Sequence, residues 1–297
     1  MRVLIAGCGY VGIRAGMELA CQGHEVWGLR RSAGSAADLR AAGISPVAGD
    51  ITRPETLRAI ANRFDWVVCC ASATGGGAER YREVYAEGLR NLVDWLAASP
   101  PQRFVYTSST SVYGQTDGSV VDETSPTQPT EETGQILVEA EEVLLAAVRE
   151  RQFPAVVLRL AGIYGPGRGY WLKQFIRGEA RLEGSVDRVL NMIHRDDAAE
   201  AITAALQRGR PGEVYNVVDD EPVSQLTLYQ WLSERLGRPL PPFVSQSARQ
   251  DRKRGMTNKR VSNYKLKKQL LAALRYPTFR EGFEFELGHL PPTEQNG

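Results

Sequence analysis

Three glycines spaced Gly-x-Gly-x-x-Gly, at Gly7, Gly9 and Gly12, are the residues whose type and spacing most directly imply chemistry in this chain. They follow the apolar run Val3–Ala6 and open the amphipathic stretch Val11 to Cys21. A backbone that ends a strand, turns at Gly7 and enters a helix aims uncapped N–H groups, here those around Tyr10 and Val11, at a phosphate. Gly9 leaves room for a pyrophosphate to approach the main chain, and Gly12 lets the helix pack closely on the sheet. Glycines cluster in turns of every kind. A strand before the motif and a helix after it are the context that dinucleotide binding requires.

The next chemistry lies at the end of the second apolar run, Glu25–Leu29, which is followed by Arg30, Arg31 and Ser32 with no carboxylate before Asp38. An acidic residue there would accept from ribose hydroxyls, whereas guanidiniums form charge-assisted forks with a 2′-phosphate. The pair therefore predicts NADP rather than NAD; the plainer alternative is two solvated surface arginines. Asp50 and Ile51 close the third run, where a carboxylate would accept from the adenine amino group and an aliphatic side chain cover the ring.

These residues need a scaffold. Runs at Val3–Ala6, Glu25–Leu29, Ser45–Ala48, Trp66–Cys70, Phe104–Thr107 and Ala155–Leu160 alternate with helical patterns near 12–22, 34–42, 54–63, 79–98 and 134–150. Six strands joined by crossovers predict an α/β fold, a doubly wound parallel Rossmann sheet. After Tyr164-Gly165-Pro166-Gly167 the rhythm shortens, so residues 1–165 read as the dinucleotide domain. Residues 166–297 read as a smaller, mostly helical substrate lobe interleaved with the sheet, its polar tail Pro291–Gly297 frayed. With 297 residues, 42% hydrophobic, and a net charge of +1, the chain resembles neither a nucleic-acid binder nor a membrane protein. The four cysteines, Cys8, Cys21, Cys69 and Cys70, lack zinc-site spacing, and the first strand leaves no room for a leader; both predict a reduced, cytoplasmic protein. Cys69 and Cys70 read as buried in a strand, with a redox pair as the alternative.

Four further strings, FVYTSSTSVYG (104–114), LRLAGIYGPG (158–167), IHRDDAAEAI (193–202) and EVYNVVDDEPVS (213–224), resemble the extended short-chain dehydrogenase/reductase family, also called the NAD-dependent epimerase/dehydratase family. The resemblance runs from Arg2 to about Gly282. The glycine spacing departs from the GxxGxxG usual in the extended branch and looks like its atypical members, as does NKRVSNYKLKK (258–268) followed by LRYPTFREG (274–282). The family's members are Rossmann enzymes that oxidise, reduce, epimerise or dehydrate hydroxyl-bearing substrates. The resemblance makes Ser109 the serine that donates to a substrate oxygen beside the nicotinamide, a hydroxyl cap on the turn being the alternative. It places Thr107, Ala71 and Ser72 along the cofactor, and Ala161, Gly162 and Ile163 beside the nicotinamide amide.

The match breaks at the family's YxxxK pair. Thr133 stands where the general acid/base tyrosine belongs and Leu137 where the lysine belongs, with Gly134 and Glu141 keeping the register. No tyrosine occurs between Tyr113 and Tyr164. Thr133, Ser109 and Tyr113 are thus the candidates for the reacting end, with packing as the plainer role for Tyr113. Glu131 and Glu132 complement a helix dipole or, in a dry pocket, supply an acid. Asp197 reads as the cap of a helix over 198–206, and His194 as structural, with a substrate contact as the alternative. The nine lysines and arginines of Arg249–Lys268 read as a solvated face, with docking of a substrate phosphate as the alternative.

The resulting expectation is an NADP(H)-dependent oxidoreductase or epimerase. It would act by hydride transfer on a polar hydroxylated or carbonyl small molecule, with a non-standard acid/base, no metal, and no nucleic-acid or membrane partner. A homodimer is left open. The alternative is a dinucleotide-binding sensor or regulatory protein without turnover.

Overall fold

The computed structural model describes residues 1–31, 36–61, 63–73, 75–183, 187–244 and 257–289. The tail Pro291–Gly297 and residues 249–256 of the basic segment lie outside the described residues. Seven parallel strands form the central sheet: β1 (Arg2–Ala6), β2 (Glu25–Arg30), β3 (Ser45–Ala48), β4 (Trp66–Cys69), β5 (Arg103–Ser109), β6 (Ala155–Leu160) and β7 (Val214–Val217). Their order is β7-β6-β5-β4-β1-β2-β3. Six of the seven are the runs read from the sequence; β7 is added by a chain segment beyond residue 165. The strands are nearly continuous in apolar residues because both faces are covered.

One face carries α1 (Tyr10–Cys21), and the core there joins Ile5, Ala15, Leu19, Val68, Val105 and Ile202. After α2 (Ala36–Ala41) and α3 (Pro54–Arg58), the other face is covered from α4 (Gly77–Tyr81), a π-helical turn Arg82–Glu87, and α5 (Gly88–Leu96). The single helix expected over 79–98 is thus interrupted, and the wide turn sets Tyr81 and Tyr85 with ring centroids 5.0 Å apart. Gly88, where the helix resumes, lies so close to Ile51 that an added Cβ would come within 2.9 Å of its Cδ1. Next comes α6 (Glu132–Arg151), whose Leu144 and Ala147 pack against Phe104 and Phe153. The lobe contains α7 (Tyr170–Ile176), α8 (Arg195–Arg208), α9 (Gln225–Leu236), α10 (Tyr264–Gln269) and α11 (Phe279–Gly288). Its own core gathers Tyr164, Phe175, Tyr229, Phe279 and Phe283. By contrast, α8 contributes Ala201, Ile202 and Ala205 to the sheet-facing core that α1 also joins.

Strand order reverses between β1 and β4, and the carboxyl ends of such strands are where doubly wound sheets open a crevice. Gly7 to Gly9, Ala71 and Ser72, and Thr107 to Ser109 all emerge there. No helix among the described residues is long and apolar enough to cross a membrane.

Candidate active site

The crevice begins at the turn between β1 and α1. Gly7 has φ +79°, and a Cβ on it would lie 2.3 Å from the Ala71 backbone, so only glycine lets the first strand exit against the fourth. Gly12 is crowded in a different way: its Cβ would meet Cys70 Sγ at 2.9 Å and Ile5 Cγ2 at 3.0 Å, the close packing of helix on sheet read from the sequence. Gly9 has no neighbour nearer than 3.8 Å. No side chain caps α1 and no acidic residue occupies its first turn, so its N-terminal N–H groups are free of competing oxygens. An open cradle above an uncapped helix start fits a dinucleotide pyrophosphate.

From this cradle the cleft runs two ways. The outer arm, about 290 Å³, is walled by Arg30, Arg31, Asp50, Ile51 and Thr52, with Ala71 and Ser72 on its floor. Arg31 is exposed at its rim, while Arg30 is drawn back. The Arg30 guanidinium donates to both Asp38 oxygens, at 3.1 and 2.9 Å, and its Nε to the Cys8 carbonyl. The first carboxylate after the strand thus folds back on the first arginine. Asp50 accepts from the Thr52 N–H at 2.9 Å and hydroxyl at 2.8 Å, which fixes its carboxylate at the end of β3.

The inner arm is larger, about 640 Å³, and shares Gly7, Gly9, Ala71 and Ser72 with the outer one. Tyr10, Val11, Thr107, Ser109, Thr133, Leu137, Ala161, Gly162 and Ile163 line it. Every residue singled out for the cofactor therefore lies on the cleft wall except Gly12, which acts behind it through packing. Arg168 and Arg195 each hold a guanidinium 5.3 Å from the Tyr10 ring centroid. Burial, eased by the Arg195 charge, pushes the Tyr10 phenol up to about 12, so it stays protonated. Ser109 caps the short 3₁₀ turn Thr110–Val112, accepting from Ser111 N–H at 3.2 Å and pairing with the Ser111 hydroxyl at 2.9 Å. The capping role is real, and it leaves the serine on the cleft wall.

Tyr113 requires a correction. It is fully buried and off the cleft wall, and its hydroxyl is saturated. It donates toward the Asp122 carbonyl and Asn216 Oδ1, both at 2.9 Å, and accepts from Arg159 at 2.8 Å. Packing fixes this tyrosine, and it is not a proton-transfer group. Its partner Arg159 belongs to a buried network in which Glu141 accepts from Arg159 NH2 at 2.7 Å and from the Ser108 hydroxyl at 2.5 Å. A second correction concerns Asp197. His194 caps α8, its Nδ1 accepting from Asp196 N–H at 3.2 Å; Asp197 lies inside the first turn and accepts from the Arg275 and Tyr276 N–H groups at 2.6 and 3.0 Å. It ties the segment before α11 to α8. His194 is fully buried. Cys69 lies within β4 with its thiol pushed by burial to about 12, and all four cysteines are free.

Sequence reasoning missed two groups on the inner wall. One is the phenol pair Tyr81 and Tyr85, signalled by i, i+4 spacing after β4; the other is Lys259, hidden in a run read as solvated. Among the described residues, the charged groups lining this arm are Arg168, Arg188, Lys259 and one carboxylate, Glu131.

A family model described as the NAD dependent epimerase/dehydratase family matches residues 3–218. Protein YeeZ of Escherichia coli (strain K12) is 29% identical over 250 residues, covering 82% of this chain and 86% of that protein. A solved structure described as a functionally unknown conserved protein from Silicibacter pomeroyi DSS is 33% identical, with TM-score 0.81 over 97% of this chain and 98% of that one. The fold is also shared with DesIV, a dTDP-glucose 4,6-dehydratase from Streptomyces venezuelae solved with NAD and TYD, at TM-score 0.81 and 23% identity over 96% of this chain and 95% of that one.

Proposed function

This chain belongs to the NAD-dependent epimerase/dehydratase family and is an NAD(P)-dependent enzyme, and from that premise we propose that it uses NADP(H) to reduce, oxidise or epimerise a polar hydroxylated or carbonyl-bearing small molecule. A bound nicotinamide supplies the hydride donor or acceptor. The observation that carries the proposal is the continuity of the cleft: the cradle of Gly7 and Gly9 joins an arginine-walled outer arm to an inner arm walled by Ser109 and Thr133. The N–H groups at Tyr10 and Val11 would hold the pyrophosphate, Arg31 a 2′-phosphate, and Asp50 and Ile51 the adenine. Thr107, Ala71, Ser72, Ala161 and Ile163 would border the reacting end. Arg30, paired with Asp38, supports Arg31 rather than doubling it.

At the reacting end Ser109 would orient a substrate oxygen by donating a hydrogen bond. Thr133 has no titrating group and Leu137 is buried and apolar, so neither holds a labile proton. The phenols that line the inner arm, Tyr81 at the end of α4 and Tyr85 in the π-helical turn, are the groups that would move it. The test mixes stoichiometric NADPH with the protein, adds a panel of polar hydroxy- and oxo-compounds, and follows the nicotinamide absorbance. Bleaching that falls at least about tenfold in Tyr81→Phe or Tyr85→Phe supports the assignment. NADPH that binds and is neither bleached nor exchanged at its transferable hydrogen favours the sensor reading instead.

A further inference from the structure

We propose that the wall around Lys259 is an anion subsite, where this ammonium, beside the Arg188 guanidinium, takes a carboxylate or phosphate group of the substrate. The proposal rests on the inner arm being the substrate site and adds the chemical class of what enters it. Lys259 is 5% exposed and lies on the cavity wall. Its Nζ donates to the Tyr113 carbonyl at 2.8 Å and to Thr257 Oγ1 at 3.0 Å, both neutral acceptors. An ammonium has three N–H donors, so one remains for a group in the cavity. Among the described residues no carboxylate lies within ion-pair distance of Lys259.

A second cation is anchored to the same residue, since Arg188 Nε donates to the Thr257 carbonyl at 3.0 Å. Burial, reinforced by the Arg188 charge, lowers Lys259 to about 8, which leaves most of it protonated at neutral pH. A clamp joining the segment 257–259 to the Tyr113 loop needs only neutral donors. Burying a charge for that purpose alone is costly, and an incoming anion removes the cost. Arg168 lines the same arm, and the one carboxylate among its described lining residues is Glu131, at the start of α6, so this wall carries more positive than negative side chains.

The test titrates NADP⁺-saturated protein calorimetrically with malonate, inorganic phosphate and UDP; the cofactor keeps these anions off the α1 N-terminus. We expect wild type to bind at least one of them, Lys259→Met to bind it roughly ten- to a hundredfold more weakly, and Lys259→Arg to stay within about threefold. UDP far tighter than phosphate identifies a nucleoside diphosphate; malonate or phosphate as tight as UDP identifies a compact anion. Wild type that binds none of the three, or Lys259→Met that binds like wild type, overturns the subsite. If NADP⁺ itself does not bind, the cofactor assignment fails separately, and the same comparison on the free protein still decides the subsite. Should Lys259→Met not fold, Lys259→Gln, which keeps a donor for the Tyr113 carbonyl, replaces it.

Discussion

Glu141 and Arg159 form a buried ion pair behind the reacting end, with side chains 5% and 7% exposed, and removing one charge should be severe. At the 2.7 Å separation, Coulomb's law with an effective dielectric of 20 gives a gross attraction of ~6 kcal/mol. Burial by itself would lower the Arg159 pKa; the hydrogen-bonded Glu141 carboxylate outweighs burial and holds the guanidinium above its ordinary range. Glu141→Gln keeps the shape and one acceptor oxygen but strands the guanidinium. The expected cost is about 3–5 kcal/mol, a fall in Tm of roughly 5–8 °C. Replacing both partners, Glu141→Leu with Arg159→Met, should recover most of it, because a well-packed apolar pair carries no desolvation cost. Urea unfolding of Glu141→Leu, Arg159→Met and the double variant completes a thermodynamic cycle. A Glu141→Gln loss below about 0.5 kcal/mol, or losses that simply add in the double variant, would refute the buried, coupled pair.

Other outcomes follow from the same geometry. Gly7→Ala combines a positive φ with a Cβ 2.3 Å from the Ala71 backbone, so thermal melts should show about 3 kcal/mol or more of destabilisation. Asp219 is buried, and desolvation, with Asp220 and Glu221 adding like charge, holds its carboxyl well above the usual range. A carboxyl raised in the folded state binds its proton more tightly there than in the unfolded chain. Its contribution is therefore complete below the ordinary carboxylate pKa and lost as pH rises through the folded value. Asp219→Asn should accordingly melt like wild type in acid and above it at alkaline pH; an unchanged difference across the range would contradict the raised carboxyl. Thr133→Tyr with Leu137→Lys should yield no new ketoreductase activity, because Leu137 packs in the core; turnover of simple ketones would contradict that.

The sheet and the phosphate cradle were legible because their signals are local. An apolar run, three glycines and an amphipathic helix sit within about two dozen residues of one another and follow from backbone sterics and burial period. What escaped was carried by contacts distant in sequence. β7 is an edge strand whose partner β6 lies more than fifty residues earlier, and its short run Val214–Val217 reads as well as a loop. Asp38 appeared too far from Arg30 to matter until α2 returned it to the guanidinium. Tyr113 became a candidate as the nearest phenol in sequence, but its hydroxyl is claimed by Arg159 and Asn216, from strands far along the chain. Lys259 looked like one cation in a solvated run; only the fold shows that its ammonium turns inward to the Tyr113 carbonyl.

The most direct test of the account is the ratio of NADPH to NADH dissociation constants for wild type and Arg31→Ala. Wild type should bind NADPH at least about tenfold more tightly than NADH, and Arg31→Ala should remove the preference by weakening NADPH alone. Equal affinities in wild type, or a preference for NADH, would contradict it.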